Sequence, residues 1–216
     1  MTAQEEVSLN GRPDFAAIAE WIRPNSTVLD LGCGDGLLLK YLKQTRNVSG
    51  YGVEISDAKV VASLRNGINV IQGDLERGLS EFEEASFDYV ILSQTLQAMR
   101  HTEVVVNEML RVARQGIVTF PNFGFWRARW QLSFGGQMPV SEELPYEWYD
   151  TPNVHLCTIR DFEDFCADQS IRILERLVLH ESKPIRVMPN LRGSLAVFRF
   201  EKMHAESSPA SIQSVR

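Results

Sequence analysis

Val28-Leu29-Asp30-Leu31-Gly32-Cys33-Gly34-Asp35-Gly36 joins an apolar run to glycines at three alternate positions, and a helical pattern from Leu37 to Leu42 follows. Glycine lets the backbone turn sharply and lets a ligand approach the main chain with no Cβ in the way. The first turn of a helix leaves its N–H groups free. An order of strand, glycine turn and helix therefore predicts a binding loop at the end of a buried strand spanning Thr27 to Leu31.

Outward from this loop the same rhythm repeats. Before it, Pro13 and Asp14 suit a first helical turn, and Phe15, Ile18, Ala19 and Ile22 recur at helical spacing until Pro24-Asn25-Ser26 breaks the pattern. After it, strands are predicted over Val48–Ile55, Asn69–Gln72, Phe87–Leu92 and Gly116–Phe120, with helices over Asp57–Arg65 and Glu103–Val112. Such alternation predicts an α/β, mostly parallel, doubly wound sheet of Rossmann-like type, with ligand beyond the carboxyl ends of the strands. The alternation stops from Phe123 to Cys157, where Phe125, Trp126, Trp130, Phe134, Tyr146, Trp148 and Tyr149 stand among glycines and prolines; an inserted cap is expected. Regularity returns with a helix over Arg160–Asp168 and strands over Arg172–Leu179 and Leu195–Phe200, expected as an antiparallel pair at one sheet edge. The expected organisation is a polar segment over 1–11, one ligand-binding domain over 12–202 with its cap at 123–157, and a disordered tail from 203 to 216.

Composition sets the outer bounds. At 216 residues, 44% apolar and 23% charged, the chain can bury a real core without staples. The net charge of −6 argues against a broad phosphate-binding surface, although Arg127 and Arg129 form a local basic pair. No apolar run is long enough to span a bilayer and the first residues are polar, so a cytoplasmic location is expected and no membrane partner. Cys33, Cys157 and Cys166 are odd in number and widely spaced, as are the four histidines; reduced thiols and no metal site are expected.

A dinucleotide loop also uses glycines, so spacing must separate the alternatives. Counted from Gly32, the third glycine of a G-x-G-x-x-G pattern would fall on Leu37, and Asp30 would sit poorly beside a diphosphate. A ligand carrying an ammonium and a sulfonium suits Asp30 better, which favours S-adenosylmethionine (SAM) over a nicotinamide dinucleotide.

This loop resembles the first motif of class I SAM-dependent methyltransferases. Two later acids fall where that superfamily uses them: Glu54, in Gly-Val-Glu-Ile, matches the acceptor of the ribose hydroxyls, and Asp74, before Leu75, matches the residue that receives the adenine amino group. Either acid alone reads equally well as a solvated carboxylate at a strand end. The resemblance implies a cofactor set of Asp30, Gly32, Cys33, Gly34, Glu54, Ile55, Asp74, Leu75 and Ser93. Three further stretches, Leu92 to Ala98, Thr119 to Gly124 and Leu144 to Asn153 with its Pro-Tyr-Glu-Trp-Tyr-Asp core, are similar to the MetW family of methionine biosynthesis proteins over about residues 12 to 200. That resemblance implies homoserine O-acetyltransferase as a partner.

Catalysis is less legible. Methyl transfer is an in-line displacement that needs alignment and dryness more than a base. Many related enzymes carry a histidine shortly after the fourth strand; the matching place here holds Ala98. His101 reads as a surface or capping residue. His155, near the end of the cap, is the remaining catalytic candidate, its alternative role being to satisfy a backbone group where the cap rejoins the sheet. Pro121-Asn122-Phe123 follows the fifth strand rather than the fourth, so it does not match the motif of adenine-base methyltransferases, and no nucleic-acid partner is expected. About half of the cap rings are expected in a secondary core, with Trp126, Arg127, Arg129 and Trp130 exposed. Two functions stay open: a SAM-binding accessory protein acting through the acyltransferase, and a methyltransferase for a small molecule.

Overall fold

The computed structural model describes residues 12–203. The polar segment 1–11 and all of the expected tail beyond Met203 lie outside these residues.

A sheet of eight strands runs in the order β3-β2-β1-β4-β5-β8-β6-β7. Its parallel part consists of β1 (Thr27–Leu31), β2 (Ser49–Glu54), β3 (Val70–Gln72), β4 (Phe87–Ser93) and β5 (Ala113–Pro121). Connecting helices are α1 (Pro13–Trp21), α2 (Leu37–Arg46), α3 (Asp57–Arg65) and α4 (Thr102–Val112). The central strands alternate their side chains between two cores, as a pleated sheet requires. Leu29, Val90, Leu92, Val118 and Phe198 join one face with α4 and the later helix α6 (Ile159–Asp168). Val28, Tyr89, Ile91, Ile117 and Val197 join the other with α1 and α2.

Past the cap, β6 (Ile171–His180) and β8 (Leu195–Lys202) form the antiparallel pair expected from the sequence. The later strand β8 inserts beside β5, which leaves β6 parallel to β5 with its carboxyl end at the ligand-bearing edge. The two-residue β7 (Lys183–Pro184) and the short α7 (Pro189–Arg192) fill the link and carry too little periodicity to be read from sequence. Thr158 and Asp161 form a capping box that starts α6 one residue earlier than the apolar pattern suggests.

The segment after β5 is tied down at one residue. Asn122 is buried and uses its whole amide: its Nδ2 donates to Asn190 O at 3.1 Å and Gly193 O at 2.8 Å, while its Oδ1 accepts from Gly124 N at 3.0 Å and Ile159 N at 3.2 Å. This latch joins the exit of β5 to α6, α7 and the start of β8. Beyond it come α5 (Trp126–Trp130) and a π-helical turn, Gln131–Gly135, and then residues 137–157 cross the top of the sheet without a helix or strand. The crossing strap returns where Val154 N and His155 N donate to Gln97 O at 2.8 and 3.0 Å.

The expected secondary core beneath the cap does not form. Of the eight aromatic residues of this segment only Phe125 is buried; Trp130, Phe134, Trp148 and Tyr149 are exposed by 59%, 75%, 73% and 71%. A single irregular layer has no second layer to receive its outer rings. Trp126, Arg127, Arg129 and Trp130 are all exposed, as expected.

Candidate functional site

The loops leaving β1, β2, β3 and β4 meet in a cleft of about 530 Å³, roofed by Glu142, Glu143, Pro145, Tyr146, Pro152 and Asn153 of the strap. Gly32, Glu54, Ile55, Asp74 and Leu75 line it, so five of the nine expected cofactor residues converge on one space.

Gly32 sits at φ +68, and a Cβ there would come within 2.9 Å of Thr95 Oγ1; Gly34 sits at φ +59, with nothing within 4 Å of its missing Cβ. The first glycine is thus required by close packing and the second keeps open space beside the backbone. Cys33 does not line the cleft: its N–H donates to Val53 O at 3.1 Å, and burial, with the nearby charge of Asp30 adding, pushes its thiol up to about 12. Its Sγ faces Ser63 Oγ at 3.8 Å and lies where a Cβ on Gly52 would be.

Glu54 is buried and holds the loop in place. One carboxylate oxygen accepts from Gly34 N at 2.9 Å, and the other from Ile55 N at 3.0 Å and Ser56 N at 2.9 Å. A carboxylate offers about four acceptor positions, so one remains for a further donor. Asp74 caps a 3₁₀ turn, Leu75–Arg77, by accepting from Glu76 N at 3.0 Å, and its other oxygen lies 3.7 Å from Arg77 Nε. The N–H of Leu75 opens that turn and lies outside its internal hydrogen bonds. Ile55 turns an apolar side chain, 63% exposed, toward the same space. The side-chain oxygen of Gln97, a lining residue, is buried with no hydrogen-bond partner.

Behind the cleft Asp30 is buried, and its carboxyl is pushed up to about 7 by that burial; Arg12 opposes the shift, while Glu54 and Asp14 add to it. Ser93 stands apart from the lining. Its hydroxyl accepts from Arg12 Nη2 at 2.6 Å, donates to Asp14 Oδ2 at 2.9 Å and lies 3.2 Å from Thr119 Oγ1. Arg12 also makes two hydrogen bonds to the fully buried Asp14, at 3.0 and 2.8 Å, so the start of α1 is locked onto the ends of β4 and β5. Sequence reading missed this network because Arg12 and Asp14 precede the first strand and carry no motif.

His101 takes the surface position expected of it, and His155 takes its non-catalytic alternative. His155 lies outside the cleft, with its Nε2 3.1 Å from Arg100 O, so it satisfies a backbone group where the strap rejoins the sheet. His101 meets Glu76 Oε2 at 2.9 Å on the surface. His180 had drawn no role, yet it lines a second cavity of about 420 Å³ whose wall, Glu142 and Glu143, is shared with the first. Its Nδ1 lies 3.1 Å from the buried Ser194 Oγ and its ring packs 4.7 Å from that of Phe125. The missed signal was positional: His180 ends a strand parallel to β5, at the same edge as the cleft.

Comparison with known proteins places this geometry. The chain is 35% identical over 210 residues to the bifunctional methionine biosynthesis protein MetXA/MetW of Rhodopirellula baltica, covering 91% of this chain and 33% of that protein. It is 38% identical over 101 residues to an uncharacterized methyltransferase of Synechocystis, covering 45% of this chain and 41% of that protein. The chain therefore spans less than half the length of these curated relatives. Among solved structures, a SAM-dependent methyltransferase from Archaeoglobus fulgidus superposes with a TM-score of 0.67 at 11% identity, over 88% of this chain and 91% of that one, a likeness of fold. The model of the methionine biosynthesis protein MetW family matches residues 12–200, nearly the whole described chain, and the protein belongs to that family.

Proposed function

We propose that this chain binds SAM in the cleft above β1 to β4 and acts in the cytoplasm with homoserine O-acetyltransferase in methionine synthesis. In this reading residues 12–202 work as one unit, with 123–157 as its cap. The observation that carries the cofactor assignment is the donor and acceptor set of the cleft. Gly32 at the cleft wall and the open face of Gly34 beside it leave room for an amino-acid moiety against the backbone, with Asp30 behind them on the side of its ammonium. Glu54 has one acceptor position left for a ribose hydroxyl. Ile55 offers an apolar face to adenine, while Asp74 and the Leu75 N–H meet its polar edge. Gln97 provides an orphaned acceptor at the same wall. The acids Glu54, Asp74, Glu142 and Glu143 make the lining negative, which suits a cationic ligand. The acyltransferase assignment rests on the family and on the Rhodopirellula relative, named as a MetXA/MetW bifunctional protein.

Calorimetric titration with SAM and S-adenosylhomocysteine tests the first part, with saturable binding expected. Acetyl transfer to homoserine, assayed with and without the chain, tests the second. An unchanged acetylation rate and no co-purifying complex would remove the partner assignment.

One observation favours methyl transfer as the second reading: the His180 cavity shares its Glu142–Glu143 wall with the cleft. SAM supplies an electrophilic methyl group when bound. The chain's own part would be to hold an acceptor in the second cavity, with His180 taking a proton, and to exclude water with the strap. Incubation with methyl-labelled SAM and a metabolite extract decides it; binding without label transfer would eliminate this reading.

A further inference from the structure

A groove of about 1000 Å³ opens on the outer side of the strap, between Trp130 and Phe134 on one wall and Met138, Val140 and Trp148 on the other. Its rings are exposed yet ordered against each other: Trp130 and Phe134 stack at 4.4 Å, and Trp148 packs edge-on to Tyr149 at 5.8 Å. The groove sets these rings among Gln131, Gln137 and Glu147, and aromatic anchors of this kind dominate the energetics of protein interfaces. The same strip of chain does two things. Between Met138 and Trp148, which rim the groove, come Glu142, Glu143, Pro145 and Tyr146, which roof the cleft. No helix or strand fixes residues 137–157; their backbone is pinned at two ends, where Gln131 pairs its side chain with Val140 N and O at 3.2 Å and where Val154 and His155 return onto Gln97, with Pro145, Tyr146 and Trp148 between.

Resting on the proposed SAM and acyltransferase reading, we infer that this groove is the surface on which an apolar anchor of the acyltransferase docks, and that the strap makes docking and SAM binding reinforce each other. The occupant follows from the Rhodopirellula relative, in which a chain like this one makes up 33% of a polypeptide named MetXA/MetW. Fusion keeps two modules at high local concentration, an advantage only for modules that touch. The sign of the linkage follows from order. A ligand filling the cleft packs against Pro145 and Tyr146 and restrains the segment that presents Trp148 two residues later. A restrained strap loses less conformational freedom when the partner arrives, so SAM tightens docking.

The experiment titrates the full chain with purified homoserine O-acetyltransferase, with and without saturating SAM, for the wild type, Trp148→Ala, Phe134→Ala and the control Val187→Ala, an exposed residue far along the chain from the groove. The groove variants are expected to weaken the complex about thirtyfold and to leave SAM binding by the isolated chain unchanged, with the control like wild type. Saturating SAM is expected to tighten the wild-type complex about fivefold, and the partner to tighten SAM by the same factor. Groove variants that bind the partner like wild type overturn the docking surface, and equal or weaker affinity with SAM overturns the linkage, while the proposed function survives both. Self-association of the chain abolished by Trp148→Ala overturns the choice of occupant. A wild-type chain that binds SAM but never binds the acyltransferase instead defeats the partner assignment on which this inference rests.

Discussion

The cleft and the strap above it are built in opposite ways. In and behind the cleft, polar groups close on one another: Glu54 takes three backbone N–H groups at its wall, and Asp14 gathers Arg12 and Ser93 behind it. The strap leaves its rings outside, with Trp148 and Phe134 about three-quarters exposed. Substitutions in the cleft should therefore cost stability even without ligand, whereas those on the outer strap should register only when something binds.

The sharpest break in that comparison is expected at Asp30. Its carboxyl moves from 3.8 to about 7 on folding, so the native chain keeps a proton that the unfolded chain gives up. Stability is then full below the unfolded value and is lost as pH rises through about 7. The full loss is about 4 kcal/mol. Glu76 and Glu108 are held below 4.5, the first chiefly by the Arg100 N–H and the second by Arg111, so they act in more acidic solution with the opposite sign. Urea unfolding across pH 5 to 8 should show wild type weakening and Asp30→Asn nearly flat. The proposed pose puts the SAM ammonium on the side of Asp30, so SAM should raise the melting temperature more at pH 7.5 than at pH 5.5. Parallel pH profiles for the two proteins would exclude Asp30 as the source.

Glu54→Ala comes next. It strands the N–H groups of Gly34, Ile55 and Ser56, each costing roughly 1 kcal/mol or more if left unpaired, so a loss of about 3 kcal/mol is expected in urea titrations. SAM affinity of the folded variant should fall about ten- to hundredfold. Unchanged stability would mean that the loop holds its shape without this carboxylate. Asn122→Ala should be milder, about 2 kcal/mol, because Ile159 N keeps a second acceptor, Asn190 Oδ1 at 3.2 Å. It should also raise amide exchange at Gly124, the donor it leaves without an acceptor. Exchange confined to other residues would show that Asn122 does not latch the strap.

Much of this was legible in the sequence. Thr27 to Leu31, the glycine turn and the helix from Leu37 announce themselves because a buried parallel strand needs a continuous apolar run and a tight turn needs glycine. The convergence of Glu54 and Asp74 on the cleft followed from their places at strand ends. The insertion of β8 between β5 and β6 was not legible, since periodicity shows that a strand exists and says nothing of its neighbour. His180 was missed for that reason: only the observed strand order brings the end of β6 beside the cleft. Glu142, Glu143 and Tyr146 were missed because a strap without periodicity gives no register from which to place them. Ser93 was expected in the cleft, but a strand-end hydroxyl next to a buried Asp–Arg pair has a nearer partner than any ligand.

The smallest expected effect is the most telling about the strap. Trp148→Ala deletes one of the largest side chains in the protein, a change that in a packed interior costs about 3–5 kcal/mol. Here the ring is 73% exposed and its aromatic neighbour, Tyr149, is 71% exposed, so little buried surface is lost. The variant should match wild type within about 0.5 kcal/mol in denaturant titrations of the isolated chain. Phe134→Ala, which parts with a stacked Trp130, should lose slightly more, about 0.5–1 kcal/mol for the ring pair. Losses near the interior value for both would mean that the strap folds down over its rings in solution, and the division between a closed cleft and an open cap would fail.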